Sequence, residues 1–239
     1  MTKDENQEKY FNFPIHLLKG FMKHSSVCLN NILEYSIYAH SEKLEYSNDL
    51  ERFESSLNYY EIKVPEDKNV TLAWLKNGEH LYLNKPEKCP MVGLRLGIFW
   101  DFYNNHKREI DKICLLGFLS IKSILQNKPY CKIDNKFWLS RMEGNATSVD
   151  YFEDLDDNIR IYANEYQTKK IKSLLSDHWG LITYARYTKG FYVSFSLTIE
   201  ELAYQVEKNR ILSKQKKQEN AQKTAQQLAI ERLRNEGLL

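Results

Sequence analysis

Residues 110–125, IDKICLLGFLSIKSIL, are apolar on nearly every side of a helical wheel. A helix of that kind is stable only when other elements cover it all round. Its longest apolar run, Ile113 to Leu119 and on to Ile121 across Ser120, is well short of the roughly 18–20 residues a membrane span needs. The segment therefore predicts a buried core helix and a chain with no membrane partner. The 239 residues suffice for one large domain or two small ones, and 42% hydrophobic with 28% charged residues is a globular balance. Only 9 Gly and 5 Pro argue against a loop-rich β-sandwich. Aromatics reach 13%, led by 16 Tyr, enough to fill a core and leave stacking groups outside.

The first ten residues, MTKDENQEKY, contain no charged-then-apolar leader. Cys28, Cys89, Cys114 and Cys131 form no CxxC, which reads as reduced thiols. Both points set a cytoplasmic expectation. A net charge of +2 supports no global electrostatic argument, so charge must be read locally.

Along the chain, FNFPIHLL (11–18) reads as a short apolar anchor. Residues 27–44 have helical spacing, with Ser26 as N-cap, and Ser47 caps a second helix with Leu50, Phe53, Leu57 and Tyr60 on one face. Residues 69–84 fit a helix better than a hairpin, and Gly78 is either its C-terminal stop or a turn residue. Met91, Leu94, Ile98, Phe99 and Phe102 form a further helical stripe. The polar cluster NNHKRE (104–109) marks a boundary, giving a helical N-terminal region (1–108), a second domain (109–206) and a helical basic tail (207–239).

After the buried helix, YCKI (130–133) reads as a short strand, and Asp134 or Asn135 caps a short helix that Gly144 ends. From Glu143 to Glu165 there are seven acids against one base, Arg160. Asn164, with Gln167 three residues on, opens a helix that stops at Gly180. LITYAR (181–186) and FYVSFSL (191–197) alternate as strands, with Phe191, Val193, Phe195 and Leu197 inward and a loop ending in Gly190 between them. Thr198 and Glu201 form a capping box for a last helix with Ile199, Leu202, Ala203 and Val206 inward.

Taking about 100° per residue from Ile171, the side chains of Leu174, Leu175 and His178 fall within roughly 60° of it. His178 then reads as a core histidine. The far side carries Tyr166, Lys169, Lys172, Ser173 and Ser176, with Lys170 at the border. These groups can reach phosphates and base edges. Asn164 caps a helix end whose backbone N–H groups suit a phosphate. Arg186, Tyr187, Thr188 and Lys189 sit at the hairpin tip. Alone, such a helix face is usually solvated surface, and a lysine at a hairpin tip can simply guard a sheet edge. Their adjacency carries the reading.

The order helix, strand, helix, helix, hairpin over residues 110–200, and above all NEYQTKKIKSLLSDHWGLITYARYTKGFYVSF (164–195), resembles the winged-helix form of the helix-turn-helix fold. The resemblance implies a recognition helix (164–178) for the major groove of double-stranded DNA and a wing (181–197) for the backbone or minor groove. The link before the recognition helix, about twenty residues and acidic, is longer than is usual there; a further helical turn in 150–160 accommodates it. The layout of a helical region before a winged helix is also similar to plasmid and phage replication initiators, which implies replication or transcription control on a mobile element.

The expected fold class is thus mainly α with a two-stranded wing hairpin, and the expected function is non-enzymatic DNA binding. The alternative is a winged-helix module for a protein partner, with Tyr166, Tyr187 and Tyr192 as anchors. EKNRILSKQKK (207–217) holds five bases and one acid, and reads equally as a backbone-following arm or a solvated helix. There is no GxxxxGK[ST], GxGxxG or HExxH, so no cofactor and no catalytic set is expected. DYFEDLDD (150–157) lacks the Gly and Glu of a calcium loop, having Leu155 and Ile161 there, so no metal is expected either.

Overall fold

The computed structural model describes residues 8–46, 48–185 and 189–235. The chain is mainly helical, with two small antiparallel sheets. Strand β1 (Tyr10–Pro14) and a 3-10 turn (Ile15–Leu18) lead into helices α1 (Ser25–Ser41), α2 (Asp49–Tyr59) and α3 (Lys68–Leu83). Strand β2 (Met91–Arg95) runs directly into α4 (Leu96–Asn104) and then the long α5 (Glu109–Leu125).

The apolar anchor is a strand. β1 pairs with β2 from Tyr10↔Arg95 to Pro14↔Met91, and Phe11 and Phe13 are fully buried. The stripe expected to be helical from Met91 therefore begins as a strand and turns helical only at Leu96. Apolar residues at 92 and 94 satisfy the two-residue period, while 91, 94 and 98 satisfy the helical one. In so short a window the pairing partner decides.

Two expected caps move. α1 starts earlier than Ser26, with His24 as its N-cap. α2 is capped by Asn48, whose side chain accepts from the Leu50 amide at 2.9 Å; Ser47 lies outside the described residues. Gly78 ends nothing, because α3 runs through it to Leu83. A Cβ there would stand 2.6 Å from the Glu34 carbonyl oxygen and 2.8 Å from Tyr38 Cβ, so the glycine lets α3 lie directly against α1.

As its sequence requires, α5 is buried over most of its surface, with Lys122 left exposed. Ile113, Leu115, Leu119 and Ile121 are fully buried, and the Ser120 and Ser123 hydroxyls donate to the carbonyls of Gly117 and Ser120. Its neighbours include β2 from the N-terminal region and, from the C-terminal side, α6 (Asn135–Met142) and α8 (Glu165–Trp179). One hydrophobic cluster runs from Phe11 to Val193, across the 104–109 segment.

Beyond α5, β3 (Cys131–Ile133) is followed by α6, capped by Asp134 and closed by Gly144 at φ +92°. The acidic link holds a 3-10 turn (Phe152–Asp154) and a one-turn helix α7 (Asp157–Arg160), so the extra turn is present. After α8 come β4 (Ile182–Tyr184) and β5 (Phe191–Ser194). β5 lies between the other two strands, pairing Cys131↔Val193 on one side and Thr183↔Val193 on the other. The hairpin thus gains a third strand. Phe191 and Val193 are buried as expected, whereas Phe195 and Leu197 lie past the end of the strand and are half-buried.

Both bonds of the Thr198–Glu201 capping box form and open α9 (Ile199–Asn235). At 37 residues it is about 55 Å long at ~1.5 Å per residue. Leu202 and Val206 are buried against the sheet, but Ile199, expected inward, is 42% exposed. From Lys208 onward its described side chains are all exposed.

Candidate nucleic-acid interface

α8 is built as its sequence specifies. The Asn164 side chain accepts from the Gln167 amide at 2.9 Å, and Gly180, at φ +67°, ends the helix. Ile171 and Leu175 are fully buried against α5. They meet it at Gly117, where a Cβ would stand 3.2 Å from Leu175 Cδ1 and 3.4 Å from Ile171 Cγ2. Tyr166 is 72% exposed, and Lys169, Lys170, Ser173 and Ser176 are exposed beside it.

Lys169 pairs with Glu165 at 2.7 Å, one turn back on the same face. Both side chains are solvent-exposed, so the pair is weak and a phosphate can take the lysine from it at little cost. Ser173 donates to Asp177 at 3.4 Å. Lys189 is exposed at the end of the hairpin loop. Arg186, Tyr187 and Thr188 lie outside the described residues.

Two residues of α8 depart from the wheel. Lys172 was expected on the solvent face but is half-buried: its ammonium sits 3.6 Å from the Phe191 ring centroid and 5.6 Å from that of Trp138, and donates to Asn135 Oδ1 at 2.9 Å. The wheel puts Lys170 and Lys172 at mirror positions about 100° either side of Ile171. The hairpin and α6 cover only the Lys172 flank. His178, expected in the core, is exposed, and its neighbour Trp179 packs on Phe118 instead, at 4.5 Å between ring centroids.

Burial, then the charge of Lys169, pushes the Lys172 ammonium down to about 8, while the two rings and Asn135 hold the charged form. At neutral pH the lysine is charged in both folded and unfolded chains, and the burial penalty is fully present. Between about pH 8 and the ordinary lysine value the unfolded chain binds more protons, so stability attributable to Lys172 rises with pH. Lys172→Met should abolish that rise. Urea midpoints of wild type and variant should converge or cross from pH 7 to 10 in favour of wild type; a constant difference would contradict the buried placement.

The acids of the link are largely used locally. Asp156 caps α7 and pairs with Lys23 at 3.0 Å, Asp154 accepts from the Tyr151 amide, Glu143 from the Asp156 amide, and Asp157 pairs with Arg160.

A second surface was not anticipated. Tyr130, just before β3, and Tyr192 on β5 approach at 6.3 Å between ring centroids and form, with α9, a groove of about 420 Å³. Val206, Asn209, Arg210, Ser213, Lys214 and Lys217 of α9 line its other wall. The basic composition of 207–217 was visible in the sequence; that it faces two tyrosines across a groove depends on how α9 docks.

Elsewhere, a cavity of about 260 Å³ beside His178 holds Asp101, Lys107, Arg108 and Asp111, but these are paired with one another, Lys107–Asp101 at 2.6 Å and Arg108–Asp111 at 3.0 Å. Among the described residues no group of three or more His, Cys, Asp and Glu side chains is arranged to hold a metal ion, and no helix is long and apolar enough to cross a membrane. Compared with known proteins, the chain matches no family model, no curated protein and no solved structure.

Proposed function

We propose that residues 109–206 act as a winged-helix DNA-binding domain without catalytic activity, with α8 in the major groove of a duplex and the β4–β5 hairpin against its backbone. The observation that carries the reading is the connectivity α5–β3–α6–α7–α8–β4–β5, in which β3 joins the hairpin and α8 packs on α5 beside it. Recognition helix and wing then share one rigid frame, so their donors can meet a duplex together. The exposed face supplies Tyr166, Lys169, Lys170, Ser173 and Ser176, and the hairpin supplies Lys189. Lys172 braces α8 against Phe191 and Trp138 and makes no contact with DNA.

The test is binding of the full chain to random duplex DNA across a salt series. Lys169→Ala with Lys170→Ala should weaken binding at least tenfold at low salt. The slope of log affinity against log salt should become shallower by about 2, at roughly 0.9 per lost phosphate contact. Lys172→Met should leave duplex affinity unchanged. Duplex binding that is absent at low salt, or unaltered in the double variant with its fold intact, rejects the reading. A protein partner held through Tyr166 would instead be insensitive to salt.

A further inference from the structure

The inner face of α9 changes character along its length. Leu202 and Val206 dock the helix on the sheet, and the same stripe continues through Asn209 and Arg210, Ser213 and Lys214, to Lys217. These positions follow Val206 at intervals of three and four, so the bases lie on the face that looks toward the sheet. Lys208 and Lys216 lie off this stripe, so three of the five bases in 207–217 line the groove side. Opposite them stand the rings of Tyr130 and Tyr192, both half-buried, and Lys132 is exposed on β3 directly across from Tyr192 in the register.

The partners of these groups define the charge of the groove. Arg210 is tied to Glu207 at 2.9 Å, and Asn209 donates to the Tyr130 hydroxyl. Among the described residues neither Lys214 nor Lys217 is held in an ion pair, and the described lining contains no carboxylate. Over 207–235, α9 carries eight bases and three acids, whereas the whole chain is nearly balanced at 34 against 32.

Cations in a row facing an aromatic floor are complementary to a ligand with phosphates along one edge and flat rings along the other. That is a nucleic-acid strand with unpaired bases: phosphodiesters meet the lysines, and bases stack on tyrosine at any sequence. A duplex offers phosphates but keeps its base faces inside the stack.

We infer that the groove between α9 and the Tyr130–Tyr192 face of the sheet binds single-stranded nucleic acid, as a second site distinct from the exposed face of α8. Phe191 and Val193 of β5 are buried on the core side of the sheet, where Lys172 of α8 reaches Phe191. Tyr192, between them, points the other way, so the sheet separates the groove from α8.

The experiment uses the full chain, a labelled oligothymidylate and a random duplex at low salt. Lys214→Glu with Lys217→Glu changes only exposed side chains of α9 and should leave the melting temperature unaltered. It should weaken oligothymidylate binding at least tenfold while changing duplex binding less than threefold. Tyr192→Leu should also weaken oligothymidylate binding while leaving duplex binding unchanged. The α8 pair Lys169→Ala and Lys170→Ala should do the reverse, sparing the single strand. Failure of the groove is therefore separable from failure of the α8 reading. Absence of oligothymidylate binding by the wild type, or equal affinity in the Lys214/Lys217 variant, overturns the inference; so does loss of duplex and single strand in equal measure.

Discussion

Trp138→Ala is expected to destabilise the protein by about 3–5 kcal/mol, the range for removing a fully buried large aromatic. Trp138 is the largest side chain with no exposure at all. Its ring lies 3.2 Å from the place a Cβ on Gly117 would occupy, packs edge-on against Phe191 at 6.0 Å, and donates from Nε1 to the Gly117 carbonyl at 3.2 Å. It therefore joins α5, α6 and the hairpin at one point. Against a typical total of about 5–15 kcal/mol, the loss leaves the fold marginal. Urea denaturation followed by circular dichroism measures it. Trp138→Phe should cost much less, because a ring still fills the space and the Gly117 carbonyl keeps the Ser120 hydroxyl at 2.8 Å. A loss under about 1 kcal/mol for the alanine variant would show that the site collapses without cost and that the three elements are held together elsewhere.

Gly190→Ala should be nearly as damaging, and more local. Gly190 has φ +94°, and a Cβ there would stand 2.4 Å from the Ile133 carbonyl oxygen. The backbone conformation costs an alanine about 1–2 kcal/mol. The clash with main chain, which cannot swing aside like a side-chain tip, adds about 1–3 kcal/mol. The strain is relieved only if β5 moves away from β3, which separates the hairpin from the frame that carries α8. The expected result is a melting temperature lowered by several degrees together with weakened duplex binding, while Gly180→Ala, with open space around its Cβ, bears only the conformational cost. Equal melting temperatures for wild type and Gly190→Ala would mean that the β3–β5 contact is not made.

Much of the C-terminal half was readable from local chemistry. The caps at Asp134, Asn164 and Thr198, the stops at Gly144 and Gly180, and the buried nature of 110–125 each depend on a few neighbouring residues. The structure has them where the sequence predicts. The N-terminal half was harder. Residues 91–95 satisfy two periodicities at once, and Gly78 looks like punctuation until α1 is laid against it.

The candidate site divides in the same way. The amphipathic character of α8 and the identity of its exposed residues follow from the 3.6-residue repeat, a property of the chain alone. Lys170 and Lys172 stand about 100° either side of Ile171, and the sequence reading puts Lys172 on the solvent face and Lys170 at its border, yet Lys170 is exposed and Lys172 lies over Phe191. No repeat distinguishes them, because the asymmetry comes from the hairpin, which covers one flank of the helix and not the other. His178 and Trp179 exchange roles for a related reason: the wheel takes no account of the Phe118 ring of α5, on which Trp179 packs. The groove beside α9 depends wholly on such long-range placement. The sequence determines that 207–217 is basic and helical, but only the docking of Leu202 and Val206 on the sheet turns its lysines toward Tyr130 and Tyr192. Periodicity and capping are short-range and survive in any fold; which flank is covered is settled by residues distant in sequence, through packing.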